Sequence, residues 1–148
     1  MTLQVSIPQQ DLTLFSDEGE VLLTAPCSTA SAGPGFTEGS YQTPTGRFQI
    51  REKIGEGAPL HTIFKGRRPC GIWNGEVAKD AILTRILRLD GLEKNNANTW
   101  SRYIYFHGTH AEDQIGTPAS HGCIRLKNLD MLKLFDSVSL GTQVQIRA

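Results

Sequence analysis

The sequence predicts a mostly β fold, a single-domain β-sandwich or closed β-structure with one main α-helix near the C-terminus. Apolar and polar residues alternate in short runs along the chain, which is the pattern of half-buried strands. Segments rich in glycine and proline separate these runs, as turns and loops do in all-β proteins. Apolar residues at helical spacing occur near the C-terminus. At 148 residues the chain fits one domain, residues 1–148, with a substantial core.

The chain is predicted to begin as an antiparallel meander. Leu3, Val5 and Ile7 alternate with polar neighbours, which indicates a half-buried first strand. Residues 12–15 and 21–24 then flank a glycine-bearing loop that is short enough for a hairpin.

A long loop is predicted next, over residues 28–46, where Gly, Ser, Thr and Pro dominate. Two interpretations stay open, a flexible excursion and a wall of a substrate cleft, because long ordered loops often carry function. The glycines of this loop match no phosphate-binding pattern such as Gly-x-Gly-x-x-Gly.

Further strands are predicted downstream, at residues 47–51, 62–65, 82–89 and 102–107. In the last of these, alternate side chains share a face of the sheet, which groups Tyr103, Tyr105 and His107 opposite Ile104 and Phe106. We expect the polar face to open onto a cleft, with Tyr105 touching a substrate. The tyrosines could equally be packing residues with a hydroxyl in water.

The single helix is predicted to be core scaffold. Asn128 is a good N-cap, and Asp130 in the first turn suits the helix dipole. The buried stripe is expected at Leu129, Leu132, Phe135 and Val138, widened by Met131 and Leu134. A closing strand is predicted around residues 144–146.

Composition excludes several classes of function. The 15 basic residues balance 15 acidic ones, so no long-range attraction to nucleic acid or an anionic membrane is expected. No run approaches the ~20 apolar residues that a membrane helix needs. The first residues lack the features of a secretory signal, which predicts a cytoplasmic protein if Met1 is the natural start, and a periplasmic one if a leader has been removed.

One of the three cysteines has the surroundings of a nucleophile. Cys27 and Cys70 have no adjacent histidine and are expected to be buried or half-buried structural thiols. Cys123 follows His121 and Gly122, and imidazole or oriented backbone N–H groups lower the pKa of a thiol. Gly122 permits a tight turn whose N–H groups, with that of Cys123, can face an oxyanion.

The base is expected from another element. His107 ends a predicted strand and can face the thiol across a cleft. His121 is closer in sequence, but neighbouring residues on a tight turn point apart, so His121 and Ser120 are assigned to shaping the site. Arg125 shares the face of Cys123 if that segment is extended, and it either binds a substrate carboxylate or forms a surface ion pair.

The segments His107-Gly108-Thr109 and Ser120-His121-Gly122-Cys123-Ile124-Arg125 resemble the active-site signature of the YkuD-type L,D-transpeptidases. Residues 43–48 resemble the Thr-Pro-x-Gly-x-Phe segment of that family, and residues 141–146 its Gly-Thr-x-Val-x-Ile closing strand. The resemblance implies a YkuD-like fold, with His107 as the base and the Gly108 carbonyl as the third group of a triad. It also implies that Cys123 attacks the bond between the L-centre of a diamino acid and the following D-alanine in peptidoglycan stem peptides. The interval between the two segments is a little shorter than the family pattern.

Three functions are compatible with this resemblance, and stem peptides or muropeptides are the expected partners in each. The first is a cytosolic L,D-carboxypeptidase that converts tetrapeptide to tripeptide in peptidoglycan recycling. The second is an exported L,D-transpeptidase that forms cross-links. The third is a non-catalytic peptidoglycan-binding module, which an intact thiol and histidine disfavour.

A zinc site is the alternative chemistry, since histidine and cysteine are zinc ligands. Its ligands would be His107, His110, His121 and Cys123. The His-x-x-His element ends a strand rather than lying on a helix, and no catalytic glutamate accompanies it. No metal or cofactor is therefore expected, and His61 and His110 are predicted to be ordinary polar histidines.

Overall fold

The computed structural model describes residues 1–76 and 81–148. Its strands are β1 (Thr2–Ser6), β2 (Asp11–Phe15), β3 (Val21–Pro26), β4 (Gly46–Ile54), β5 (Thr62–Lys65), β6 (Arg68–Ile72), β7 (Ile82–Gly91), β8 (Tyr105–Gly108), β9 (Ile124–Leu126) and β10 (Gln143–Arg147). The α-helix is α1 (Asn128–Ser137), and single 3-10 turns lie at Lys94–Asn96 and Glu112–Gln114. No helix in the described part of the chain has the length and apolar character needed to cross a bilayer.

Within the described residues, ten strands form one curled sheet with a branch at β7. The main path runs β3-β2-β1-β10-β4-β7-β5-β6, and β8 joins β7 while β9 joins β8. The predicted mostly β fold with one helix near the C-terminus is confirmed.

The predicted N-terminal meander is also confirmed. β1 pairs with β2, and β2 with β3, in antiparallel register. Leu3 and Val5 are fully buried while their polar neighbours are partly exposed, as the alternation predicts. β10 lies parallel to β1, so the end of the chain closes against its beginning.

The helix begins differently from the prediction. Lys127 occupies the N-cap position, and Asn128 is the first helical residue. The Asn128 side-chain amide donates to the Thr109 carbonyl oxygen at 2.8 Å and to Glu112 Oε2 at 3.1 Å. The prediction that Asn128 caps the helix is therefore wrong, because these partners draw its side chain toward the segment that follows β8.

The predicted buried stripe of α1 is confirmed at its C-terminal end and wrong at its start. Met131, Leu134, Phe135 and Val138 are buried, whereas Leu129 is 62% exposed. A step of three residues falls about 60° short of a full turn, so a stripe built from such steps winds away from the core. Lys53 of β4 binds the end of the helix, where its Nζ donates to the carbonyl oxygens of Phe135 at 2.7 Å and of Val138 at 2.6 Å.

Two further predictions are corrected. The strand expected at residues 102–107 begins at Tyr105, because Tyr103 has a φ of 56° and lies outside it, 49% exposed. Cys27 is buried as predicted, but Cys70 is exposed, since every residue of the edge strand β6 faces solvent.

Candidate active site

Two parallel strands bring the histidine and cysteine segments together. β8 and β9 pair in the register Phe106 with Ile124 and His107 with Arg125. Phe106 and Ile124 both lie in the main hydrophobic core. Side chains alternate along a strand, so His107 and Arg125 face away from that core, and so does Cys123, two residues before Arg125.

The Cys123 thiol lies half-buried at the start of β9. It packs in a second, smaller apolar cluster with Phe64, Ile86 and Tyr105. The backbone N–H of Tyr105 donates to Cys123 Sγ at 3.4 Å, and Sγ lies 3.4 Å from the carbonyl oxygen of Tyr103, to which the thiol donates.

The turn before Cys123 is fixed from both sides. Gly122 has a φ of 122°, and a Cβ there would lie 3.3 Å from the Gln42 carbonyl oxygen. Ser120 Oγ accepts the Gly122 N–H at 3.2 Å and donates to the Cys123 carbonyl oxygen at 2.5 Å. Thr43 Oγ1 donates to the Gly122 carbonyl oxygen at 2.9 Å. The fold therefore requires glycine at 122, and Ser120 holds the turn closed.

His107 is almost completely buried, and its tautomer follows from one contact. Nδ1 lies 2.6 Å from the carbonyl oxygen of Gly108. A carbonyl oxygen can only accept a hydrogen bond, so Nδ1 carries the proton. In the neutral ring the lone pair is then on Nε2, which is the form that a general base requires.

Gly108 is required for steric reasons rather than for an unusual backbone conformation. A Cβ at this position would lie 2.3 Å from Asn128 Oδ1 and 2.8 Å from the Leu83 carbonyl oxygen. The end of β8 is therefore in direct contact with the first residue of α1 on one side and with β7 on the other. This contact fixes the carbonyl oxygen that orients His107.

A strained bulge supports the same contact from β7. The pairing of β7 with β8 shifts register between Leu83 and Ile86, and Thr84 in this bulge is fully buried with a φ of 77°. A positive φ is rare for a β-branched residue and usually marks a constrained site. Thr84 Oγ1 donates to Asn128 Oδ1 at 2.6 Å, which connects the bulge to the support of Gly108. The sequence carries no sign of this bulge.

The loop at residues 28–46 forms a wall of the site. Ser28 bridges to Arg125 and Ala30 to Ser120, so the loop follows the segment that carries Cys123. Of the two interpretations of this loop, the cleft wall agrees with its position.

A cavity of about 330 Å³ is lined by Tyr103, whose carbonyl oxygen lies 3.4 Å from Cys123 Sγ. It is bounded by the loop, by the segment before β8 and by the turn before Cys123: Glu38, Gly39, Tyr41, Ser101, Arg102, Tyr103, Ile104 and His121. The His121 ring is exposed and lies 5.6 Å from the Tyr41 ring, centroid to centroid. His121 therefore contributes to the cavity wall, as expected for a residue that shapes the site.

Sequence reasoning missed Arg102, which lies in this cavity wall. Its Nη1 donates to the Gly35 carbonyl oxygen at 3.3 Å and its Nη2 to that of Gln42 at 2.6 Å. Burial lowers the pKa of Arg102, while the negative charges of a Cys123 thiolate and of Glu38 raise it. The guanidinium is thus within electrostatic range of the sulfur. No local motif marks this arginine, because only the fold brings it to the cysteine.

Tyr105 and Arg125, the two residues predicted to contact substrate, are both buried. Tyr105 is 4% exposed, and its hydroxyl accepts a hydrogen bond from Arg67 at 3.4 Å. Burial raises the pKa of Tyr105, and the Arg67 hydrogen bond opposes this rise. Arg125 is 5% exposed and donates to the Ala119 carbonyl oxygen at 3.4 Å, so it does not lie on the surface. Their contact with substrate stays a prediction.

The remaining histidines lie away from this cavity, on an aromatic cluster. The His61 and His110 rings both contact Trp73, at centroid distances of 5.6 and 6.3 Å. Across residues 1–76 and 81–148, no three His, Cys, Asp or Glu side chains are grouped so that they could hold a metal ion. The four-residue zinc set therefore does not assemble.

Comparison with known proteins identifies a family. A family model for the YkuD L,D-transpeptidase catalytic domain matches residues 1–146. The chain is 53% identical over 45 residues to the Escherichia coli protein named "Probable L,D-transpeptidase ErfK/SrfK", a match that covers 30% of this chain and 14% of that protein. It is 40% identical over 48 residues to the Bacillus subtilis protein named "Putative L,D-transpeptidase YqjB", covering 32% of this chain and 27% of that protein.

Solved structures show the same fold. The L,D-transpeptidase of Xylanimonas cellulosilytica superposes with a TM-score of 0.65 at 20% identity, covering 99% of this chain and 59% of that one. An L,D-transpeptidase from Mycobacterium smegmatis superposes with a TM-score of 0.64 at 23% identity, covering 99% and 58%. This chain therefore spans less than two thirds of these relatives.

Proposed function

Since this chain belongs to the YkuD family of L,D-transpeptidase catalytic domains, we propose that it opens peptidoglycan stem peptides at the bond between the L-centre of the diamino acid and D-alanine. Cys123 is the nucleophile and His107 the base. The observation that carries this assignment is the β8–β9 register, which turns His107 away from the main core, and Cys123, immediately before β9, also lies outside that core, in the second apolar cluster.

Cys123 and His107 supply the nucleophile and both proton transfers of the first half of the reaction. His107 Nε2 takes the thiol proton, and Cys123 Sγ attacks the carbonyl carbon, whose π electrons move to oxygen. Collapse of this intermediate breaks the C–N bond, and His107 gives its proton to the departing D-alanine nitrogen. The products are free D-alanine and a thioester on Cys123. The Gly108 carbonyl stabilises the protonated ring through Nδ1, 2.6 Å away.

The oxyanion is held by backbone N–H groups of the turn that carries Cys123. The Gly122 N–H is bound to Ser120 Oγ at 3.2 Å and must exchange this neutral acceptor for the oxyanion. The charged partner exists only after the carbonyl has been attacked, so this exchange stabilises the transition state more than the substrate.

Water is the proposed acceptor of the acyl group, which makes the enzyme an L,D-carboxypeptidase that acts in the cytosol. Cys123 is half-buried, and Tyr103, whose carbonyl oxygen lies 3.4 Å from Sγ, lines the neighbouring cavity, so we expect water to reach a thioester there. Attack by water returns the thiol and a tripeptide carboxylate. Attack by the amine of a second stem would instead make a cross-link.

A tetrapeptide assay tests this function. The protein is incubated with a disaccharide tetrapeptide, and the products are separated by chromatography and identified by mass spectrometry. We expect tripeptide and an equimolar amount of D-alanine, with no product from Cys123→Ala and full activity in Cys70→Ala, the exposed-cysteine control. Cross-linked dimer would reassign the chain to transpeptidation. Absence of any D-alanine release by the unmodified protein would refute the function.

A further inference from the structure

The cavity next to the turn that carries Cys123 shares a residue with the contacts of the sulfur. Tyr103, whose carbonyl oxygen lies 3.4 Å from Sγ, also lines the cavity, together with His121 from the turn before the cysteine. When Sγ attacks a carbonyl carbon of a bound peptide, the next residue of that peptide can therefore lie in the cavity. That next residue is the one that leaves.

Arg102 is the cation in the wall of this cavity. Both of its hydrogen bonds go to carbonyl oxygens, of Gly35 and Gln42, which orient the guanidinium without neutralising its charge. A guanidinium has five N–H donors in a planar fork, a shape that matches a carboxylate. Glu38 also lines this cavity, and its charge acts on the Arg102 guanidinium.

The position of Arg102 relative to the Cys123 sulfur suits a carboxylate that lies one residue beyond the attacked carbonyl. The α-carboxylate of the leaving residue lies on the order of 4 Å from the attacked carbon, one residue along the chain. Arg102 immediately precedes Tyr103, whose carbonyl oxygen lies 3.4 Å from Sγ, and both residues line the cavity. The guanidinium therefore borders the space that the residue after the attacked carbonyl would enter.

We propose that Arg102 binds the free α-carboxylate of the terminal D-residue and so restricts the enzyme to stems that end directly after the cleaved bond. This assignment rests on the proposed function, because it concerns the same bond and the same thiol. It identifies the substrate class as peptides with a terminal carboxylate, as opposed to peptides that are amidated or extended beyond this residue.

The test compares two substrates that differ at one group. One is a tetrapeptide that ends in D-alanine with a free carboxylate, and the other ends in D-alaninamide. The ratio of their kcat/KM values isolates the carboxylate contact, since both substrates present the same bond to Cys123. We expect the unmodified enzyme to prefer the acid by about 10- to 100-fold, the range of a charge-assisted contact.

Arg102→Met should reduce kcat/KM for the acid to about the level of the amide and leave the amide within about twofold. Because Arg102 also holds the loop at residues 28–46, Asn98→Ala is the matched control. Asn98 Nδ2 binds the same loop through the Phe36 carbonyl oxygen at 2.8 Å but carries no charge. We expect Asn98→Ala to retain the acid-to-amide ratio even if it lowers both rates.

Arg102→Lys keeps the positive charge but lacks the planar guanidinium. We expect its ratio of kcat/KM for the acid to kcat/KM for the amide to lie between those of the unmodified enzyme and Arg102→Met. The proposal is overturned if the unmodified enzyme shows no preference for the acid. It is also overturned if Arg102→Met slows both substrates equally, which would mean that the arginine acts on the thiolate or only holds the loop. Failure of the unmodified enzyme to cleave either substrate would instead refute the proposed function, so the two failures are distinct.

Discussion

Asn128 touches Gly108 from behind the sheet, at a distance that leaves no room for a Cβ. A methyl group at Gly108 would lie 2.3 Å from Asn128 Oδ1. The same asparagine donates to the Thr109 carbonyl oxygen and accepts from the Thr84 hydroxyl. The carbonyl that fixes the His107 tautomer therefore has its own support, built from α1 and from a bulge in β7.

Gly108→Ala should impair catalysis more than stability. The new methyl group must displace Asn128 or the Leu83 carbonyl oxygen, and overpacking of this kind costs about 1–3 kcal/mol. Movement of the Gly108 carbonyl also removes the acceptor of His107 Nδ1. We expect kcat to fall by about 10-fold or more, measured as D-alanine release. Activity within about twofold of the unmodified enzyme would show that this contact does not position His107.

Asn128→Ala should weaken the same support by removing hydrogen bonds. Loss of a buried hydrogen-bond partner costs about 1–3 kcal/mol. Here the Thr84 hydroxyl loses its acceptor and keeps the His61 N–H, and the Thr109 carbonyl oxygen loses the Asn128 amide. The free energy of unfolding should fall by about this amount in urea titration. The pH profile of kcat should also shift, because a displaced Gly108 carbonyl no longer stabilises protonated His107.

Asn95→Ala, at an exposed asparagine, is the matched control and should be neutral in both measurements. If Asn128→Ala lowers stability with an unchanged pH profile, the asparagine only holds the helix in place.

Lys53→Met should destabilise the protein without changing activity. Its ammonium donates to two carbonyl oxygens at the end of α1 and lies 4.3 Å from the centre of the Phe135 ring. Loss of these contacts should cost about 1–3 kcal/mol. Lys65→Met, at an exposed lysine of β5, is the control and should leave the free energy of unfolding unchanged. Equal effects of the two substitutions would show that the helix end does not depend on Lys53.

The three cysteines should differ in reactivity in the folded protein. Burial, with a smaller contribution from Asp11, raises the pKa of Cys27 from 9.0 to about 12. Alkylation at about pH 8 followed by peptide mass spectrometry should therefore label Cys70 and Cys123 and leave Cys27 unmodified. Labelling of Cys27 at the rate of Cys70 under native conditions contradicts this burial.

The raised pKa of Cys27 also predicts that the folded protein loses stability at alkaline pH. Above pH 9 the unfolded state loses the Cys27 proton while the folded state keeps it until about pH 12, so stability falls across this interval. Below pH 9 both states carry the proton and the thiol makes no pH-dependent contribution. Cys27→Ala should reduce the slope of unfolding free energy against pH in this window. An unchanged slope would mean that the thiol does not titrate differently in the two states.

The sequence predicted the parts of the site that are local. A cysteine after a glycine turn and a histidine at a strand end are recognisable from neighbouring residues, and the alternation around Phe106 correctly placed Tyr105 and His107 on one face. The N-terminal meander followed from the same period-two pattern.

The sequence could not predict what depends on contacts between distant segments. Arg102 reaches the cysteine only through the fold, and the support of Gly108 by Asn128 joins residues 20 positions apart. Local cap preference assigned Asn128 to the N-cap, whereas its side chain is drawn to the segment after β8 by the Thr109 carbonyl oxygen and Glu112. The prediction that Cys70 is buried or half-buried is wrong because the sequence does not reveal which strand lies at the edge of the sheet.

Intact mass spectrometry of the protein mixed with tetrapeptide tests the central claim most directly, that Cys123 is acylated with His107 as its base. At short reaction times the unmodified protein should gain the mass of the tetrapeptide less D-alanine, located on Cys123 by peptide mapping. Cys123→Ala should show no gain, and His107→Gln should acylate at least about 100-fold more slowly. D-Alanine release that persists in Cys123→Ala, or an adduct on another residue, would contradict the account.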